Sequence, residues 1–238
     1  YALSMTMGRG QFGAINFLFA CIAALFTAAF LRVELRTSSP LVRLALFRNR
    51  RMSTGFVAST LVTTVAMTTL VIGPFYLSGA LHLDPAGIGV VMSTGPLVAA
   101  LVGIPAGKAV DRLGAARVTL MGLIAMTSGS LLLAGMTSSQ GILGYILPLI
   151  TLTAGFATFQ TANNTRVIAG TEAYQRGLVS GLLNLSRNLG LVTGASLMGA
   201  IFVHAAGAES IELADASAVV VGAHAAFLTA SALLAAAI

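Results

Sequence analysis

This 238-residue sequence has little cysteine and little charge. Its single cysteine, Cys21, excludes an internal disulfide and a Cys-x-x-Cys metal site. Asp, Glu, Lys and Arg make up only 8% of the residues, whereas a soluble domain carries about 25%. Hydrophobic residues make up 57%. This composition excludes a soluble globular domain and a disordered chain, and it indicates a membrane protein.

The positive net charge does not indicate a nucleic-acid partner. The 13 Lys and Arg residues stand in short clusters between long apolar runs, which is typical of the cytoplasmic loops of a membrane protein. The sequence shows no Ser-His-Asp arrangement, metal-ligand cluster or phosphate-binding loop. We therefore predict neither an enzyme nor a bound cofactor or metal.

Uncharged runs divide the chain into segments of the length that a membrane-crossing helix needs, about 20 residues. The longest run, Val118 to Thr165, contains a polar break at 137–141 and predicts two helices joined by a turn. The expected fold is an all-α membrane protein with seven transmembrane helices. The predicted spans are Gln11–Leu31, Met52–Leu81, Pro85–Gly107, the two halves of Val118–Thr165, Leu178–Ala206 and Ser217–Ile238.

The distribution of Lys and Arg predicts the orientation. If the first helix ends inside, 11 of the 13 cations fall on the cytoplasmic side, and the opposite side receives only Arg9. The remaining cation, Arg187, falls within a predicted span. The basic stretch 40–51 is interpreted either as a short amphipathic segment at the headgroup level or as a positive loop that only fixes the topology.

A Gly-x-x-x-Asp-Arg-x-Gly pattern follows the third predicted span. Glycine at 107 permits close helix approach, the carboxylate at 111 can accept hydrogen bonds from a helix N-terminus or an arginine, and glycine at 114 permits a tight turn. We interpret this cytoplasmic loop as a latch that forms in one conformation, with an ordinary basic loop as the alternative. Its residues are Gly107, Asp111, Arg112, Gly114 and Arg117.

Aromatic and amide residues recur at helical spacing near the end of the fifth span. Phe156, Phe159, Gln160, Asn163 and Asn164 share one predicted helix face. Amides are costly in lipid unless they face a bundle interior or water. The pattern therefore predicts either a polar cavity wall or hydrogen bonds between helices.

Arg187 lies in the sixth span, roughly 13 Å from its predicted start. A cation at such a depth costs at least about 2.5 kcal/mol, so it is expected to face a cavity or a partner, with Asn184 and Asn188 one turn to either side. A gating role and a structural ion pair with a partner outside this chain both remain open. Small residues suited to close helix packing share the span, namely Gly181, Gly190 and Gly194.

These motifs together resemble the major facilitator superfamily. The stretch GKAVDRLGAAR at 107–117 resembles the loop signature of that superfamily in its second-half copy. PLVRLALFRNRR, FQTANN and SGLLNLSRNLG resemble the fourteen-spanner drug:proton antiporter branch. Ala115 and Ala116 stand where basic residues are common in the family, which weakens the expected latch.

The resemblance implies an architecture for the whole chain. Residues 1–36 would form an extra linker transmembrane helix, residues 37–51 a basic amphipathic cytoplasmic linker, and residues 52–238 the C-terminal six-helix transporter bundle with its two inverted three-helix repeats. The partners implied are the lipid bilayer, the N-terminal half of the same transporter and a small amphipathic organic substrate. The expected location is the bacterial cytoplasmic membrane.

In such transporters the substrate lies near the midplane, between the two bundles. The resemblance implies that the first helix of each repeat lines the cavity, although threonines there can equally bond their own helix backbone. The substrate-cavity residues implied are Thr64, Met67, Thr68, Tyr76, Phe156, Phe159, Gln160, Asn163, Asn184, Arg187 and Asn188.

The expected function is proton-coupled export of amphipathic or cationic drugs by alternating access. Proton coupling needs a titratable carboxyl within the membrane, and no predicted span contains one. The coupling acid is therefore expected in the N-terminal half. The alternative function is a non-transporting membrane module that scaffolds or pairs with another subunit.

Overall fold

The computed structural model describes residues 18, 21–26, 28–29, 32–33, 49–207 and 216–238. From residue 50 onward these residues form six long helices, and all six are long and apolar enough to cross a membrane. The chain is thus an all-α membrane protein, as predicted. The helices are α1 (Arg50–Gly79), α2 (Pro85–Leu113), α3 (Ala115–Ala134), α4 (Gly141–Ala169), α5 (Arg176–Ala206) and α6 (Ala216–Ala237).

Each span predicted from residue 52 onward coincides with one of these helices. Short 3-10 turns at Ser138–Gln140 and Ala173–Gln175 precede α4 and α5, and the first of them occupies the predicted polar break. In the first predicted span, residues 18, 21–26 and 28–29 are helical. The rest of that span and the basic linker up to residue 48 lie outside the described residues.

Polar caps explain where α1 and α2 begin. The side chain of Asn49 accepts a 3.0 Å hydrogen bond from the backbone N–H of Arg51, so the last basic residues of the linker form the first turn of α1. Asp84 accepts a 3.1 Å bond from the N–H of Gly87, and Pro85 occupies the first helical position, where its missing N–H costs nothing.

The loop predicted around 107–117 is helical almost throughout. α2 continues to Leu113, α3 begins at Ala115, and Gly114 alone connects them with φ 82°. The expectation was wrong because charged residues mark the place where a helix leaves the membrane, but they do not end the helix. The helix ends only at the residue whose backbone needs a positive φ.

Helix pairing follows the symmetry expected of two three-helix repeats. α1 packs along α5, and α4 packs along α2, which are equivalent pairs if α1–α3 and α4–α6 correspond. α4 also packs along α3. Rings of Tyr76 and Tyr145 stack at 5.9 Å between α1 and α4, and both side chains are buried in the main hydrophobic core.

The cations collect at one end of the bundle. Between residues 49 and 238, seven of the eight Lys and Arg residues lie at the start of α1, around the α2–α3 turn or at the α4–α5 connection. We call this the Arg-rich end, and the positive-inside rule assigns it to the cytoplasm. The eighth cation is Arg187, inside α5.

Glycines on α5 allow its backbone to meet that of α1. A Cβ on Gly194 would lie 2.5 Å from the carbonyl oxygen of Thr64, and one on Gly190 would collide with the carbonyl of Thr60. Gly181 does not take part, because it is exposed and has no described atom within 4 Å of a Cβ position. Nine residues separate Gly181 from Gly190, which is half a rotation of the helix at 3.6 residues per turn.

Candidate functional site

Arg187 belongs to α5, and its guanidinium lies between α4 and α5, where three neutral amides accept hydrogen bonds from it. Nε donates to Oε1 of Gln160 at 3.1 Å, Nη2 to Oδ1 of Asn164 at 2.5 Å and Nη1 to Oδ1 of Asn184 at 3.4 Å. Because arginine only donates, the amide oxygens face it and their NH₂ groups point elsewhere. We call Gln160, Asn164, Asn184 and Arg187 the guanidinium cluster.

The guanidinium extends toward the Arg-rich end. Its partner on α5, Asn184, lies one turn toward the helix start, as expected for a side chain tilted toward the N-terminus. α5 begins at Arg176, which places the Cα of Arg187 about 17 Å along the helix. The charged group therefore lies nearer to the Arg-rich end than its Cα does, which is the direction in which an arginine on this helix would snorkel.

The two neighbouring asparagines of α4 have different surroundings. Asn163 is buried and donates a 3.0 Å bond to the carbonyl of Gly55 on α1, so it joins two helices instead of facing the open side of the bundle. Asn164 reaches Arg187. Asn164 is not among the cavity residues implied by the resemblance, although its position four residues after Gln160 places both on one helix face.

Several other expected cavity residues lie in the bundle interior. Oγ1 of Thr64 donates to the carbonyl of Gly190 at 3.2 Å. Thr68, Tyr76 and Phe159 are buried, and Oγ1 of Thr68 has no hydrogen-bond partner among the described residues. Met67 is half-buried. The contacts of Thr64 with Gly190 and of Met67 with Gly194 place these two side chains at the packed interface of α1 and α5.

An apolar chamber of about 230 Å³ lies between α1, α2 and α4, and its lining residue Phe156 is about one helical turn from Gln160 of the guanidinium cluster. Phe156 is the lining residue nearest to Gln160 in the sequence, and Thr153 lies about one turn before Phe156 in α4. The other lining residues are Ala66, Thr69, Leu70, Met92, Gly95, Pro96, Ala99, Leu149 and Leu152.

Sequence reasoning did not predict the contribution of α2 to this chamber. The available signal was the helical spacing of Met92, Gly95, Pro96 and Ala99. It places two small residues, a proline and the flexible thioether of a methionine on one face of the helix. Gly95 approaches α4 at the chamber, because a Cβ there would lie 3.8 Å from Oγ1 of Thr153.

Asn188 is exposed on the same side of α5 as Asn184.

The motif residues at the Arg-rich end are exposed. Asp111 and Arg112 lie in the last turn of α2, and Arg117 lies in the first turn of α3. Asp111 forms neither a hydrogen bond nor an ion pair within the described part of the chain, so the expected latch contact is not made there. Gly107 has open space where its Cβ would be, which leaves the motif accessible to another part of a transporter.

Comparison with known proteins identifies the family. The Major Facilitator Superfamily model matches residues 4–195 and, in a second alignment, residues 54–238. Over 169 residues the chain is 30% identical to the uncharacterized transporter YebQ of Escherichia coli (strain K12), covering 71% of this chain and 37% of that protein.

Two further relatives carry functional names. The riboflavin transporter RibZ of Clostridioides difficile (strain 630) is 25% identical over 71% of this chain and 37% of its own length. The multidrug efflux pump LfrA of Mycolicibacterium smegmatis is 24% identical over 74% of this chain and 35% of its own length. The chain thus spans little more than a third of each relative. With a family match across more than half of its residues, the chain belongs to the Major Facilitator Superfamily.

Proposed function

We propose that this chain is the C-terminal half of a secondary active transporter that exports amphipathic organic molecules in exchange for protons. Membership of the superfamily supports a transporter, and the names of two relatives, a multidrug efflux pump and a riboflavin transporter, support organic substrates. The N-terminal bundle would come from the remainder of the transporter. Alternating access would then expose the surface between the two bundles to each side of the membrane in turn.

The guanidinium cluster beside an apolar chamber is the observation that carries this proposal. A charged side chain within a membrane helix is costly, and such residues usually line a substrate or ion pathway. Here Gln160 and Asn164, which hold the cation, share one stripe of α4 with Phe156 of a chamber of about 230 Å³. An apolar pocket with a few convergent polar groups is the usual composition of a small-molecule site.

The described carboxylates do not supply a proton carrier within a span. Asp84 caps α2, Asp111 lies in the last turn of α2, and Glu172 lies between α4 and α5. We therefore propose that the coupling carboxyl belongs to the N-terminal half and that the proton gradient drives transport without a cofactor. The proposed location is the bacterial cytoplasmic membrane.

Efflux from intact cells tests the proposal. Cells expressing the full-length gene product that carries this chain are loaded with the neutral amphipathic dye N-phenyl-1-naphthylamine, and its release is followed by fluorescence. We expect faster release than in cells with an empty vector, and loss of the difference when a protonophore collapses the gradient. Equal release in both strains would contradict transport of neutral amphipathic compounds, and equal release of a sulfonated dye as well would favour the non-transporting module.

A further inference from the structure

The guanidinium cluster and the apolar chamber lie along one face of α4. Thr153, Phe156, Gln160 and Asn164 follow one another at intervals of three and four residues, which keeps them on one helix stripe. The first two line the chamber, and the last two hold Arg187. Gln160 lies four residues after Phe156 and Asn164 lies eight, so the guanidinium held by both is about 6–12 Å from the apolar wall along the helix. A single molecule of modest length can contact both.

The cluster offers hydrogen-bond donors in excess. Arginine has five N–H groups, and three of them bond to the amide oxygens. The other two, and the NH₂ groups of the three amides, have no acceptor within the described part of the chain. The cluster therefore offers a ligand several unused hydrogen-bond donors around one positive charge.

No described carboxylate neutralises this charge. Asp84, Asp111 and Glu172 are exposed at or beyond helix ends, whereas Arg187 is held between α4 and α5 within their spans. A guanidinium in a partly dehydrated site binds an oxyanion strongly, because its planar fork matches two oxygens at once. The chemistry of the cluster thus favours a negatively charged ligand group and disfavours a cation.

We propose that the site recognises amphipathic organic anions, with the apolar body in the chamber and a carboxylate, sulfonate or phosphate group at Arg187. This inference rests on the proposed transport function and names its substrate class. It replaces the cationic class implied by the family resemblance. The same oxyanion chemistry could come from a carboxylate side chain elsewhere in the transporter, so the test must separate a bound substrate from a fixed counter-charge.

Two dyes that share an aromatic body make the test specific. 8-Anilinonaphthalene-1-sulfonate is the sulfonated relative of N-phenyl-1-naphthylamine, so the pair differs mainly by one negative charge. Binding of each dye to the purified full-length protein is measured by fluorescence titration, against a detergent blank. We expect Arg187→Gln to weaken binding of the sulfonate at least tenfold, as expected for loss of a charged hydrogen bond, and to change binding of the neutral dye less than twofold.

Three comparisons complete the experiment. Arg176→Gln removes an exposed cation from the start of α5 and should leave the binding of both dyes unchanged. Arg187→Lys keeps the charge but not the fork, and should give intermediate affinity for the sulfonate. Equal loss of both dyes in Arg187→Gln would indicate a structural role and would overturn the proposal.

The remaining outcomes distinguish a bound substrate from a carboxylate of the protein as the source of the oxyanion. They also distinguish failure of the substrate assignment from failure of the transport function. If Arg187→Gln binds the sulfonate as well as the unaltered protein does, or better, the guanidinium is neutralised by a carboxylate of the protein, and the substrate assignment is wrong. Proton-dependent efflux of the neutral dye would still stand in that case. Absence of proton-dependent efflux of both dyes, by contrast, would contradict the transport function itself.

Discussion

Oγ1 of Thr64 donates a 3.2 Å hydrogen bond to the carbonyl oxygen of Gly190, where α1 and α5 meet without an intervening side chain. Four residues along α1, Oγ1 of Thr68 is buried with no partner within the described part of the chain. One of these two threonine hydroxyl groups is therefore hydrogen-bonded, and the other is buried without a hydrogen bond within the described residues.

Valine replacements at these two positions should change stability in opposite directions. Thr64→Val loses a hydrogen bond between helices, which costs about 0.6 kcal/mol within a membrane. Thr68→Val removes a buried unsatisfied hydroxyl and should stabilise the fold by up to about 1 kcal/mol. Thermal unfolding of the full-length protein in detergent, followed by circular dichroism at 222 nm, measures both. Shifts of the same sign would contradict the assignment.

Alanine at Gly194 should destabilise the contact between α1 and α5. Its Cβ would lie 2.5 Å from the backbone oxygen of Thr64 and 2.7 Å from Cβ of Met67, so the helices have to separate, at a cost of about 1–3 kcal/mol. Gly181→Ala is the matched control on the exposed side of α5. The control should be neutral or stabilise the helix by up to about 1 kcal/mol. Equal melting temperatures for the two variants would refute this packing.

Asparagine should destabilise the protein at position 114 but not at position 207, although both positions are glycines at helix ends. Gly114 has φ 82° and ψ 147°, whereas Gly207 has φ 62° and ψ 20°. The second conformation is left-handed helical, which asparagine adopts readily, and the first is almost restricted to glycine. Gly114→Asn should therefore lower the free energy of unfolding by about 1–3 kcal/mol, and Gly207→Asn should change it little. Similar losses in both variants would show that φ at residue 114 is not the constraint.

Consecutive asparagines of α4 should separate stability from ligand binding. Asn163→Ala removes the buried bond to Gly55 and should lower unfolding stability by about 1 kcal/mol or more. Asn164→Ala removes a partner of Arg187 and should weaken binding of the sulfonated dye, with a stability change within about 0.5 kcal/mol. Calorimetric melting and dye titration on the same preparations check both effects. An identical pattern in the two variants would contradict the different surroundings seen here.

The spans could be predicted because charge is so rare in this chain. Each predicted span from residue 52 onward became one helix, and Asp84 with Pro85 marked the start of α2. The tight turn at Gly114 was predicted, but the continuation of α2 from Gly107 to Leu113 was missed, because hydropathy reports where the chain leaves lipid, not where its hydrogen-bonding pattern stops. Gly181 was predicted to share the packing face of Gly190 and Gly194, but it faces away from α1, because nine residues rotate the helix by half a turn.

The candidate site could be predicted only where one helix carries the signal. The expectation that Arg187 would have Asn184 nearby follows from their three-residue spacing, and their hydrogen bond has that spacing. The chamber could not be predicted in this way, because it is formed by residues of three helices that are distant in sequence. Whether Asn163 or Asn164 faces Arg187 likewise depends on the rotation of α4 against α1, which a single-helix pattern does not determine.

Reactivity of a cysteine at Asn188 tests most directly whether this side of the bundle borders a solute path. In full-length protein with Cys21 and every cysteine outside this chain replaced by Ala, Asn188→Cys is treated with a membrane-impermeant thiol reagent in inside-out vesicles. The control is Ile124→Cys, at an exposed apolar position of α3. We predict labelling at 188 and none at 124. An unreactive residue 188, or equal labelling at both positions, would show that the face carrying Arg187 is covered by lipid or protein and would contradict the transport pathway.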